Sequence, residues 1–204
     1  FRRHIIQLGN SGVYVIYDEL EGKEAVTWSY LLHTVELPME MKELPNEVQV
    51  TGKNKAGGGS VAHLFSSAKT EQAIADTFFC APTNWKNVTN AQGKALKYPN
   101  HWHFSSTTVP CKVARFLTVM DTHGNNRPDM KVVRNGNTVQ VGDWVINCNL
   151  AEKGKAAITV TNKSEKVSLN YDAGKKEGAT IVTDQIKGKQ ISKVLTDYLP
   201  DFEI

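Results

Sequence analysis

Residues 4–8 (HIIQL) and 13–17 (VYVIY) flank Gly9-Asn10-Ser11-Gly12, and this stretch decides the fold class. Two β-rich apolar runs around a turn cluster are the signature of an antiparallel hairpin. In the second run Val13, Val15 and Tyr17 alternate with Tyr14 and Ile16. Successive side chains on a strand point to opposite faces, so this strand is apolar on both. Such a strand belongs in the interior of a sandwich. Asp18 reads as the turn residue that ends it. Residues 25–33 (AVTWSYLLH) alternate more cleanly: Val26, Trp28, Tyr30 and Leu32 share one face, opposite Thr27 and Ser29.

Outward from there, residues 47–51 and 60–65 read as strands joined by the loop GKNKAGGG. A short helix is expected at 68–76 (AKTEQAIAD), and 81–100, rich in Asn, Pro and Lys, reads as a surface loop. Two strong β runs follow, 101–109 and 112–120, with Pro110 at their junction. Residues 121–129 (DTHGNNRPD) carry no large apolar residue and mark a boundary between modules at 1–121 and 122–204. Beyond it, 131–147 suggests a hairpin, and 156–162, 166–171 and 179–184 continue as short strands. Ile191, Val194, Leu195 and Tyr198 fit helical spacing, yet the residues are β-tolerant, so both assignments stay open. The expected class is all-β: an incomplete antiparallel two-layer sandwich followed by a smaller β domain.

The 204 residues are enough for one large domain or two small ones. Lys and Arg number 24 against 21 Asp and Glu, a net charge of +3. That is too mild for a nucleic-acid protein, which needs a dense basic patch. No apolar run reaches the roughly 18 residues of a membrane span. Cys80, Cys111 and Cys148 are too few for a disulfide framework, although a Cys80–Cys111 bridge stays open. The chain opens at Phe1 directly in strand-like sequence, without a signal peptide, and reads as part of a longer protein.

Motifs with chemistry are sparse. Gly57-Gly58-Gly59-Ser60 lacks the Gly-Lys-Ser/Thr and the following helix of a phosphate loop, so it reads as a hairpin turn. His101 and His103 share one strand face, roughly 6.5–7 Å apart. A catalytic zinc needs a third protein ligand, which no spacing indicates, so they read as half-exposed sheet residues. Asp121, His123, Asn125 and Asp129 crowd one loop, but the calcium-loop pattern lacks its Gly and terminal Glu, which leaves ordinary turn chemistry. Asn87-Val88-Thr89 and Asn162-Lys163-Ser164 match the glycosylation triplet. Trp85, in the polar 81–100 segment, is either a saccharide platform or an anchor for that loop. No Gly-x-Ser-x-Gly elbow and no motif-like Cys–His pair supports a hydrolase. No cofactor or metal is implied.

Three phrases carry a family resemblance: Phe1-Arg2-Arg3-His4-Ile5-Ile6, Gly12-Val13-Tyr14-Val15-Ile16-Tyr17-Asp18-Glu19-Leu20-Glu21, and Thr27-Trp28-Ser29-Tyr30-Leu31-Leu32-His33-Thr34. They resemble the β-sandwich of heparinase II/III-like polysaccharide lyases. His103-Phe104 and Arg115-Phe116-Leu117-Thr118-Val119 look like closing strands of the same sandwich. The resemblance implies a parent with an upstream α/α helical domain, a periplasmic or secreted location, and β-elimination of acidic polysaccharides such as heparin or heparan sulfate. In that family Tyr and His serve as base and acid. Their motif has no match here, so no catalytic residue is assigned and the chain alone is expected to be inactive. Carbohydrate contacts are expected at His33, Trp85, His101 and His103. The alternatives are a carbohydrate-binding module and a purely structural extracellular domain.

Overall fold

The N-terminal hairpin forms: β1 (Arg2–Gln7) pairs antiparallel with β2 (Val13–Val26), Ile5 opposite Ile16. The structure is a computed structural model, and it describes residues 1–35, 37–76, 89–94, 101–175, 180–186 and 189–195. β3 (Ser29–Val35), β4 (Met39–Leu44), β5 (Glu47–Lys53), β6 (Gly59–Ser66), β7 (Thr70–Ala75), β8 (His101–Thr108) and β9 (Cys111–His123) complete the first half. β10 (Val132–Asn135), β11 (Thr138–Val141), β12 (Trp144–Cys148), β13 (Ala157–Asn162), β14 (Val167–Asp172), β15 (Thr180–Ile186) and β16 (Lys189–Leu195) follow. Among the described residues, all pairings are antiparallel.

The described strands make three sheets. A six-stranded sheet runs β1-β2-β9-β6-β5-β4, a three-stranded sheet β3-β8-β7, and a seven-stranded meander β10 to β16. The six-stranded sheet is the middle layer. Val13, Val15, Tyr17, Phe65, Leu117 and Val119 on one face pack against Val139, Ile146, Ile158, Val160 and Tyr171 of the meander. Its other face places Val50, Leu64, Ala114 and Phe116 against Tyr30 and Phe104 of the three-stranded sheet. This is why Ala114 through Val119 are buried without a break: β9 has a core on each side. Each large apolar side chain fully buried here contributes about 1.5–3 kcal/mol. Among the described residues, no helix is long and apolar enough to cross a membrane.

Three local expectations need correction or completion. Asp18 does not end its strand; it lies inside β2, 2% exposed. Its carboxylate accepts from Arg3, whose Nε and Nη2 donate at 2.6 and 2.8 Å. The paired charge lets an acidic residue sit where an apolar one is expected. The segment 68–76 is not a helix but contains β7. Its only large apolar residue is Ile74, which packs into the core from one strand face, and one residue cannot make a helical stripe. Residues 189–195 resolve as β16 and close the meander; Tyr198 lies outside the described residues. The edge strand β4, MEMKEL, has no signal in the sequence because four of its residues are exposed. Such charged edges resist unwanted pairing.

Candidate functional site

The three-stranded sheet turns one face inward and one outward. Inward, Tyr30, Leu32, Ile74, Trp102 and Phe104 join the core. With the period of two, the outer face carries Ser29, Leu31 and His33 from β3, His101, His103, Ser105 and Thr107 from β8, and Glu71 and Ala73 from β7. His33 is the direct register partner of His103, and Val35 that of His101. The rings of His33 and His103 lie 6.0 Å apart, tilted by 31°. At the other end Ser29 Oγ and Thr107 Oγ1 share a hydrogen bond of 2.9 Å. Leu31 is 49% exposed and His33 is exposed, while His103 is only 8% accessible.

Three of the four expected carbohydrate contacts therefore share one surface, although His33 and His103 lie 70 residues apart in sequence. Trp85 lies outside the described residues. Imidazoles, hydroxyls and the Glu71 carboxylate in one patch offer both donors and acceptors to a polar ligand. On this face Leu31, His33, Glu71 and Ala73 are exposed, His101, Ser105 and Thr107 half-buried, and His103 buried.

Metal-ligating geometry occurs elsewhere. Among the described residues, Asp121, His123 and Asp129 bring one ligand atom each within 4.8 Å of one another. Protein cations already occupy these carboxylates. Arg127 grips Asp121 with Nη2 to Oδ1 at 2.5 Å and Nη1 to Oδ2 at 3.0 Å, and the Met130 N–H adds 2.7 Å. Lys53 Nζ donates to Asp129 at 2.6 Å. Asp121 is fully buried. Burial alone would raise its pKa, but the hydrogen bonds from Arg127 and Met130 and the charges of Arg127 and His123 outweigh that and hold it below the ordinary carboxylate range. The His123 ring bonds Asp129 through Nε2 at 2.7 Å and the Gly124 carbonyl through Nδ1. Both partners are acceptors, so the doubly protonated ring satisfies both, and its pKa is raised. The cluster locks the 124–130 crossover between two sheets. It also ties in the first hairpin turn, through Arg127 Nη2 to Ser11 O at 2.9 Å.

A second cluster escapes sequence reading altogether. His4 Nε2 meets Glu19 Oε1 at 2.8 Å, the His4 and Tyr171 rings lie 4.1 Å apart, and Arg2 Nη1 donates to Tyr171 Oη at 2.6 Å. These residues span 169 positions, and no local motif joins them. A Tyr beside a His suggests proton-transfer chemistry. Burial, however, pushes the Tyr171 phenol up to about 12, with the Glu19 hydrogen bond adding to it. A phenol held protonated is a donor, not a base at neutral pH. The cluster fastens β1 and β2 to β14.

Two other motifs resolve structurally. Gly57-Gly58-Gly59 turns the β5–β6 hairpin, where Asn54 Oδ1 accepts from the N–H groups of Ala56 and Gly58. Gly59 has φ of 154°, and a Cβ there would lie 2.0 Å from the Gly52 carbonyl oxygen. Asn162 of the second glycosylation triplet is 3% exposed. Its Oδ1 accepts from the Ser164 and Glu165 N–H groups and the Ser164 hydroxyl, so it is a turn residue closed to a glycan. Asn87 of the first triplet and Cys80 lie outside the described residues, and Cys111 and Cys148 are free thiols.

Compared with known proteins, the sequence matches no family model and no curated protein.

Proposed function

We propose that this chain is the non-catalytic β portion of a polysaccharide lyase acting on acidic, uronate-containing polysaccharides. The outer face of the three-stranded sheet is then the wall that meets the polysaccharide. The observation that carries the reading is the gathering of His33, His101 and His103, with Ser29, Ser105, Thr107 and Glu71, on one face. The three phrases resembling heparinase II/III-like lyases support it from the sequence side: they form β1, β2 and β3 and link the middle layer to this sheet. Imidazole and hydroxyl groups suit both the hydroxyls and the carboxylates of a uronate chain.

The test pairs two measurements. The parent protein and this chain are assayed on heparin, heparan sulfate, chondroitin and alginate by the ultraviolet absorbance of the unsaturated product. The chain and its His33→Ala and His103→Ala variants are titrated with the same polymers. Activity in the parent alone, and polymer binding weakened in both variants, is the expected result. Activity in neither, with binding retained by the chain, favours a carbohydrate-binding module. Neither activity nor binding refutes the reading.

A further inference from the structure

A polar groove of about 380 Å³ opens where the β4–β5 hairpin, the 67–69 connection and the three-stranded sheet meet. Its lining includes Glu43, Ser66, Ser67, Thr70, Gln72 and Ser106. The volume lies in the range of small-molecule sites, but such sites are usually apolar. This one exposes mainly hydroxyl, amide, carboxylate and, from Lys69 and Arg134, cationic groups, with Leu44, Val48 and Leu64 beside them, a composition suited to a largely polar ligand.

The hydrogen bonds sharpen the argument. Ser66 Oγ accepts from the Ala68 N–H at 3.2 Å, Ser67 Oγ from the Arg115 N–H at 2.9 Å, and Thr70 Oγ1 from Gln72 Nε2 at 2.7 Å. Each hydroxyl is thus oriented as an acceptor and keeps its own hydrogen to donate. The Glu43 carboxylate and the Gln72 carbonyl are acceptors in the same space. Ser106 is different. It is fully buried, and its Oγ has no hydrogen-bond partner among the described residues. Its strand neighbours explain why: it lies between Tyr30 and Gln72 on the inner face of β8, where an apolar residue would pack at no cost. A buried hydroxyl without a partner is rare in folded proteins and needs a reason.

We infer that this groove binds one sugar residue of a polysaccharide, with Ser106, Gln72 and Glu43 hydrogen-bonding the ring hydroxyls. A sugar presents hydroxyls that donate and accept at once, which matches fixed donors beside fixed acceptors. The site is separate from the outer-face histidines. The choice of a glycan rests on the function proposed above; the polar, hydroxyl-matching character of the groove does not.

The experiment is a titration of the chain with uronate-containing oligosaccharides and with neutral oligosaccharides, followed by calorimetry. It is repeated on Ser106→Ala and Gln72→Ala, with the thermal midpoint of each variant measured alongside. Binding about tenfold weaker in each variant, with the Ser106→Ala midpoint unchanged or raised, is expected. That pairing is diagnostic, because removing an orphan hydroxyl relieves the free protein while depriving the ligand. Binding of neutral sugars alone, lost in the same variants, supports the groove and refutes the acidic-polysaccharide reading. Uronate binding that survives Ser106→Ala and Gln72→Ala but falls in His33→Ala places the contact on the outer face and overturns the groove. A lowered Ser106→Ala midpoint with unchanged affinity overturns it too, as does no saccharide binding at all.

Discussion

Replacing Asp121 by Asn tests whether the crossover between the middle sheet and the meander is held by one ion pair. The substitution keeps shape and removes charge. Asp121 is fully buried and receives two hydrogen bonds from Arg127 and one from the Met130 N–H. The Asn amide turns a donor toward a guanidinium that has only donors. A hydrogen bond to a charged group contributes about 1.5–3 kcal/mol. The Arg127 side chain keeps 28% of its surface accessible, so water recovers part of what is lost. The expected cost is about 2–3 kcal/mol, or a fall of roughly 4–12 °C in thermal midpoint for a chain of this size. Urea unfolding of Asp121→Asn, Arg127→Met and the double variant closes the cycle, and the slope with urea should not change. The folded-state pKa of Asp121 is depressed. Its contribution is therefore present above the unfolded value of about 3.9 and lost as pH falls through the folded-state value. The double variant should show the same acid sensitivity as Asp121→Asn. If the two single costs add to within about 0.5 kcal/mol in the double variant, the pair is not coupled and the reasoning is wrong.

The other expectations concern single groups. His123 has a raised folded-state pKa, chiefly from its hydrogen bond to Asp129 and then from the Gly124 carbonyl. Its stabilisation is full below the unfolded value of about 6.5 and lost as pH rises through the folded-state value; His123→Gln should abolish that slope between neutral and alkaline pH in urea titrations. Burial pushes the Cys148 thiol up to about 12, so mass spectrometry after alkylation at mildly alkaline pH should find Cys148 unmodified in the native chain and modified once urea unfolds it. Gly59→Ala puts a Cβ against the Gly52 carbonyl at a positive φ and should cost about 1–3 kcal/mol; a wild-type midpoint in that variant would refute the steric argument.

Much of the strand content is legible because alternation is a local property. VYVIY carries both faces of a middle-layer strand in five residues, and WSYLLH shows which side meets a core. Where sequence reading fails, the deciding partner lies far along the chain. Asp18 looks like a turn until Arg3 stands beside it across the β1–β2 register. The 68–76 segment has helix-forming residues but no stripe, and only pairing with β8 makes part of it a strand. The candidate site follows the same rule. His33, His101 and His103 are visible as residues, but their common face depends on β3 pairing with β8 across some 70 positions.

The sequence by itself determined the all-β class, the hairpin turns at Gly9–Gly12 and Gly57–Gly59, and which face of each alternating strand is apolar. These follow from the two-residue strand period and from the backbone freedom of glycine, both properties of neighbours in the chain. Only the tertiary structure decided that three sheets stack with the six-stranded one in the middle, and that His4, Glu19 and Tyr171 meet. It also decided that Arg127 and Lys53 fill the acidic loop and that the Ser106 hydroxyl lines the groove with no partner among the described residues. Those outcomes depend on which distant faces find each other, and that is settled by packing two cores at once rather than by any local pattern.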